Sequence, residues 1–298
     1  MLEIDRNWIG WLLHYTRKQT APEVLIKALV NLGFDTATAR YLVAQAASGG
    51  QQTTVAQPSR PVVPPYPFND GGAAYCNDAC PVSLSDRIDA GDRIVNVSSR
   101  FDRPCIVTFD NVVSDEECTA VIELARPRLK PSTTIDPVTG RSRPSDLRVS
   151  EGMNFLRNET PLLTMLEKRI ARLLNWPMEN GEGFAVLRYG VGDEYRPHFD
   201  YFPPQNPGSH LLMEKGGQRF STLIVYLNDV EAGGETHFPD VSISIRPQKG
   251  SAVYFQYANA KGHVNPLSLH AGKPVQAGEK WIMTKWSRQR KYGAMGVQ

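Results

Sequence analysis

Cysteine is scarce in this 298-residue chain: Cys76, Cys80, Cys105 and Cys118 are too few and too scattered to staple a fold of this length, which excludes a disulfide framework as its organising principle. Cys76 and Cys80 are the one close pair. With no second pair elsewhere they read as free thiols rather than as a zinc site, and a disulfide between them stays open. A surplus of one charge is lacking too: 33 basic residues stand against 31 acidic ones, a net +2, so nucleic acid is not an expected partner. No apolar run approaches the roughly 20 residues of a membrane-spanning helix, and no membrane association is expected. The N-terminal "MLEIDRNWIGWLLHYTRKQ" has an acidic start, a short apolar run and no small-residue cleavage site; it does not read as a secretory signal, and a cytoplasmic protein is expected. Internal repeats are missing as well.

What is present falls into three stretches. Residues 1–48 read as a small all-α bundle. Thr20 and Glu23 have capping-box spacing before "PEVLIKALVN", with Pro22 in the first turn and Gly33 as the stop. A second helix begins at Asp35 or Thr36, and Trp8, Ile9, Trp11, Leu12, Leu13 and Tyr15 would line a third. Such a bundle serves for interaction, either recruiting a target protein or pairing two copies into a homodimer. Residues 49–75 are rich in Pro, Gly and Gln without hydrophobic period and form a linker. Residues 76–298 form the main domain. Two helices are signalled there, by Ser114 with Glu117 in "SDEECTAVIELA" and by Thr160 with Pro161 in "TPLLTMLEKRIARLLN". After Trp176, "GFAVLRY", "RFSTLIVYLND", "VSISIRP", "GSAVYFQY" and "KWIMTKW" alternate as strands between Gly, Pro and Asp, which gives an α+β sandwich or barrel with helices on one side.

Six histidines are available as ligands. Alternation along a strand puts His198 and Asp200 on one side, so both can converge on one ion. That is two members of the 2-His-1-carboxylate triad of non-haem iron(II) oxygenases, whose remaining coordination positions stay open. His270, in "LHAGKPVQAGEKWIMTKW", is the candidate for the third. Lys280 opens the next apolar strand, where Trp281 and Trp286 are expected to surround it; its buried charge suits the far carboxylate of a dicarboxylic cosubstrate such as 2-oxoglutarate. His210 reads as a loop histidine, His237 follows a Gly-Gly-Glu-Thr turn, and His263 is the rival ligand.

Together "RYGVGDEYRPHFDYF", "RFSTLIVYLNDVEAGGETHFP", "KGSAVYF" and "SLHAGKPVQAGEKWIMTKW" resemble the catalytic domain of the prolyl 4-hydroxylase family of Fe(II)- and 2-oxoglutarate-dependent dioxygenases, in family order over about 185 to 290. The resemblance implies a double-stranded β-helix, the jelly-roll barrel, with supporting helices. It implies iron ligands at His198, Asp200 and His270, oxoglutarate binding at Lys280, Tyr189 and Thr222, and a substrate groove with Arg148, Ser150 and Trp286. Fe(II), 2-oxoglutarate and L-ascorbate are the implied cofactors. Dioxygen and a proline-containing protein or peptide are the implied partners. The Asp200 carboxylate argues for hydroxylation, since related halogenases carry a small residue there. One departure is the long Gly- and Pro-containing loop "PPQNPGSHLLMEKGGQRF". Two other readings stand beside prolyl hydroxylation: a hydroxylase of a free amino acid or small metabolite, and a protein-binding module on an inactive barrel. The intact His198, Asp200, His270 and Lys280 speak against the last.

Overall fold

A computed structural model describes residues 21–31, 36–47, 78–136, 139–144, 147–204 and 206–293. The chain divides into two compact units, residues 1–73 and 74–298. In the first, α1 (Pro22–Asn31) packs against α2 (Thr36–Ala47), with Leu25, Ala39, Leu42, Val43 and Ala46 buried. The expected third helix, the linker and the boundaries at 48 and 76 lie outside the described residues. No helix among the described residues is long and apolar enough to cross a membrane.

The second unit opens with β1 (Arg87–Asp89), β2 (Ile94–Asp102), β3 (Cys105–Asp110) and α3 (Asp115–Ala125). There follow β4 (Lys130–Pro131), β5 (Thr133–Ile135), β6 (Ser142–Pro144), β7 (Glu151–Asn154) and α4 (Pro161–Leu173). The next segment runs β8 (Ala185–Tyr189), β9 (Tyr195–His198), α5 (Pro207–Glu214), β10 (Arg219–Tyr226), β11 (Ala232–Gly233), β12 (Thr236–Phe238) and β13 (Ile243–Ile245). Last come β14 (Ala252–Gln256), β15 (His270–Gly272), β16 (Val275–Ala277) and β17 (Lys280–Arg288).

A nine-stranded sheet, ordered β1-β2-β3-β14-β10-β17-β8-β7-β4, and a four-stranded sheet, β13-β12-β15-β9, are antiparallel throughout, in the manner of a jelly roll. Alternation along β10 explains how the large sheet serves two faces. Leu223 and Val225 join Val107, Tyr254, Trp281 and Met283 in a core covered by Val121 of α3 and by Leu163, Leu166 and Ile170 of α4. Full burial of each such aliphatic side chain contributes roughly 1.5–3 kcal/mol. On the opposite face Tyr226 donates to Thr236 Oγ1 at 2.7 Å, and Phe255 meets Phe238 edge-on at 5.2 Å, which joins the small sheet to the large one.

Both main-domain caps form as their sequences predict. Glu117 N donates to Ser114 Oγ at 3.2 Å while Ser114 N donates to Glu117 Oε2 at 2.7 Å, and Thr160 Oγ1 accepts from Leu163 N at 3.2 Å with Pro161 in the first turn. Arg169 of α4, only 3% exposed, then locks the layer: its guanidinium reaches Asp92 at 2.7 and 2.9 Å, both Glu117 oxygens at 2.7 Å and Val112 O at 3.0 Å.

Two expectations need correction. Strands do not wait for Trp176: β1 to β7 precede it, and the polar run Asn96, Ser98, Ser99 and Arg100 of β2 hid a strand near the sheet edge. The stretch after the H-x-D motif is not all loop, because Asn206 and Pro207 start helix α5, which carries an exposed His210. Described Cys80, Cys105 and Cys118 are free thiols.

Candidate active site

The small sheet brings two histidines face to face. β9 and β15 pair with His198 opposite His270, and the imidazole centroids lie 4.3 Å apart. Asp200 is not on the strand, as alternation alone would have it, but in the bend just past its end. It still turns the same way, with Oδ1 3.6 Å from His198 Nε2 and Oδ2 3.6 Å from His270 Nε2. Both separations exceed a good hydrogen bond. Among the described residues this is the one group of three or more His, Cys, Asp or Glu side chains whose ligand atoms converge, all within 4.8 Å.

Local backbone fixes the tautomers. His198 Nδ1 lies 2.9 Å from Arg196 O and His270 Nδ1 3.0 Å from Ser268 O; a carbonyl only accepts, so Nδ1 carries the proton and Nε2 presents a lone pair. Burial, reinforced by His198, pushes His270 down to about 4, so it is neutral at physiological pH. Burial works against the charge of Asp200, yet His270, His198 and Arg219 hold its carboxyl well below the usual carboxylate range. Phe255 and Phe238 wall off His270 at 4.6 and 5.8 Å, and Tyr195 stacks on His198 at 3.5 Å. Two imidazoles and one carboxylate converging in this way fit Fe(II).

Lys280, 3% exposed, faces Tyr189 across the β8–β17 pair. Its Nζ sits 5.4 Å from the Tyr189 ring and 6.0 Å from the Tyr226 ring. These tyrosines, not the expected tryptophans, surround it. The reason is strand period: Trp281 points to the helix-side core under Arg126, and Trp286 lies farther along β17, opposite Thr222 and stacked on Arg219 at 3.8 Å. Burial pushes the Lys280 amine down to about 8, against a pull upward from Glu235. No hydrogen bond or ion pair holds this ammonium among the described residues. A buried cation without an anion is costly, and an anionic guest such as a 2-oxoglutarate carboxylate would relieve it. Gly272, two residues past His270, borders the same space: a Cβ there would lie 3.7 Å from Lys280 Nζ.

The other sequence-derived residues cluster here. Burial pushes the Tyr189 phenol up, against the opposing charge of Arg148. Arg148 bridges to Tyr195 through the backbone and lies over its ring at 5.0 Å. Thr222 Oγ1 donates to Asp200 Oδ2 at 2.7 Å and contacts Tyr257 OH at 3.0 Å. His237 bonds Ser244 and Ile243 on the far strand, and neither it nor the rival His263 joins the ligand cluster. Four neighbours escaped the sequence reading. Tyr195 was inside the quoted motif, and Tyr257 continues the two-residue alternation from Phe255. The Glu182–Arg219 pair, at 2.7 and 3.0 Å, joins residues distant in sequence and left no local signal.

Comparison with known proteins agrees with this geometry. Residues 184–288 match the 2OG-Fe(II) oxygenase superfamily. Prolyl 4-hydroxylase 1 of Arabidopsis thaliana is 40% identical over 202 residues, which is 63% of this chain and 70% of that protein. Probable prolyl 4-hydroxylase 10 of the same plant is 34% identical over 251 residues, 76% of this chain and 84% of the relative. The crystal structure of a viral collagen prolyl hydroxylase from Paramecium Bursaria Chlorella virus-1, in a 2OG complex, is 30% identical with a TM-score of 0.49, covering 61% of this chain and 95% of the viral one. The chain belongs to the prolyl 4-hydroxylase family of 2-oxoglutarate- and Fe(II)-dependent oxygenases.

Proposed function

We propose that this chain hydroxylates a prolyl residue in a protein or peptide, consuming dioxygen and 2-oxoglutarate and releasing succinate and carbon dioxide. The observation that carries the reading is the unpartnered Lys280 ammonium buried beside the converging His198, Asp200 and His270. Those three side chains are assigned as the iron ligands. Bound Fe(II) with 2-oxoglutarate supplies the oxidising power for an unactivated C–H bond, with L-ascorbate as the accessory reductant.

The rest is the work of the chain. Lys280 anchors the far carboxylate of the cosubstrate, and Tyr189 lines the same space. Thr222, which the resemblance gives to the cosubstrate, spends its only hydroxyl proton on Asp200, so its assigned role here is to hold that carboxylate. Arg148, Ser150 and Trp286 are assigned to the substrate side. Exposed Leu147 and Val149 flank Arg148 and offer apolar surface to an extended, proline-rich segment.

The test is succinate formation by protein reconstituted with Fe(II), 2-oxoglutarate and ascorbate, with and without a proline-rich peptide. Turnover that rises with peptide, adds one oxygen to a prolyl residue and vanishes in Asp200→Ala is expected. Turnover stimulated by free proline or another small molecule but never by peptide would move the substrate to the metabolite class.

A further inference from the structure

We infer that Tyr257 is a positioning residue for the metal centre, acting through Thr222 as the outer member of a one-way hydrogen-bond relay that orients the Asp200 carboxylate. The inference rests on the assignment of Asp200 as an iron ligand.

Donor counting gives the relay its direction. Thr222 Oγ1 donates to Asp200 Oδ2 at 2.7 Å, and that contact consumes its single hydroxyl proton. In the 3.0 Å contact Thr222 must then accept, and Tyr257 O–H donates. Tyr257 is fully buried, and burial together with the Asp200 charge pushes its phenol well above the ordinary value, so the donor proton stays on. A donated hydrogen bond polarises the Thr222 hydroxyl and strengthens its own donation by about 10–30%.

Tyr257 is itself held in place. Its N–H donates to Phe220 O at 3.1 Å, its carbonyl accepts from Asn265 N at 2.8 Å, and its ring lies among Phe255 and Tyr201 at 5.9 and 6.1 Å. From the other side Arg219 Nη1 donates to the Asp200 carbonyl at 3.3 Å, so backbone and carboxylate of this residue are gripped separately. With Oδ2 committed to Thr222, rotation of the carboxylate is fixed while Oδ1 faces His198. Partners one shell out from a metal ligand typically change affinity or activity by about 10- to 100-fold when removed.

The experiment is an anaerobic Co(II) titration of the full-length apo chain, reading both affinity and the visible ligand-field spectrum, on wild type, Tyr257→Phe, Thr222→Val, the double variant, Thr222→Ser and Asp200→Ala. Thr222→Val should weaken Co(II) by about 10- to 100-fold and Tyr257→Phe by up to about 10-fold, each with an altered spectrum. In the Thr222→Val background, Tyr257→Phe should cost nothing further, since the relay is already cut. Thr222→Ser should restore affinity and spectrum. A wild-type affinity and spectrum for Tyr257→Phe, or fully multiplicative losses in the double variant, overturns the relay. Wild-type Co(II) binding by Asp200→Ala would instead overturn the metal-centre assignment. Tyr257→Phe keeps every ring contact, and thermal melts of each variant separate a lost fold from a lost relay.

Discussion

Replacing Lys280 by methionine should make the apo protein more stable and a poorer enzyme at once. The side chain is 3% exposed, and burial moves its amine from the ordinary 10.5 to about 8. That displacement corresponds to about 3 kcal/mol of unfavourable charge burial. Because the folded value lies below the unfolded one, the unfolded chain holds more protons between about pH 8 and 10.5, and apo stability rises with pH across that window. At pH 7 the full penalty is therefore present. Methionine keeps an unbranched stem of similar length and discards the charge, so Lys280→Met should gain up to about 3 kcal/mol in urea unfolding of the apo chain. On the proposed role of Lys280, the same substitution removes a charge-assisted hydrogen bond to 2-oxoglutarate worth about 1.5–3 kcal/mol. At 1.4 kcal/mol per factor of ten, KM for 2-oxoglutarate should rise about 10- to 150-fold. Urea curves with and without cosubstrate, alongside steady-state KM, test both halves. A variant that loses apo stability while KM stays put would show that Lys280 is a packing residue and refute the reasoning.

Further outcomes follow from the same charges. The pH profile of kcat/KM for 2-oxoglutarate should fall above about pH 8 as the Lys280 ammonium of the free enzyme is lost, and Lys280→Arg should move that limb upward in whatever turnover it retains. A profile that is the same in wild type and in Lys280→Arg would assign the limb to another group. Arg169→Met should destabilise the main domain by about 3 kcal/mol, because Asp92 and Glu117 would face each other across the vacated guanidinium; a urea midpoint within error of wild type would contradict this.

Local signals were legible in the sequence, and long-range partners were not. Ser114 with Glu117 and Thr160 with Pro161 stated where α3 and α4 begin because a cap is decided by neighbours three residues apart. β8, β10, β14 and β17 were visible because each is buried almost throughout and rich in β-branched and aromatic residues. β2 was not, since its middle carries Asn96, Ser98, Ser99 and Arg100 at positions that are not buried. His198, Asp200 and His270 were named from pattern and resemblance, but the bend that carries Asp200 is a tertiary fact. The tyrosines around Lys280 come from β8 and β10, strands hydrogen-bonded to β17 yet far from it along the chain. Nothing in "KWIMTKW" alone could distinguish them from the tryptophans next door.

One strand of the large sheet carries a liability that its neighbours answer. β10 is buried on both faces, with Leu223 and Val225 toward the helices and Thr222 and Tyr226 toward the site. A slip of a single residue against β14 or β17 would exchange the two sets, sending hydroxyls into the aliphatic layer and leucine against Asp200. Hydrophobic burial and the polar contacts of the site thus penalise the same misalignment from opposite sides. The centre of the molecule proofreads its own assembly, and the chemistry of the site doubles as an error check on folding.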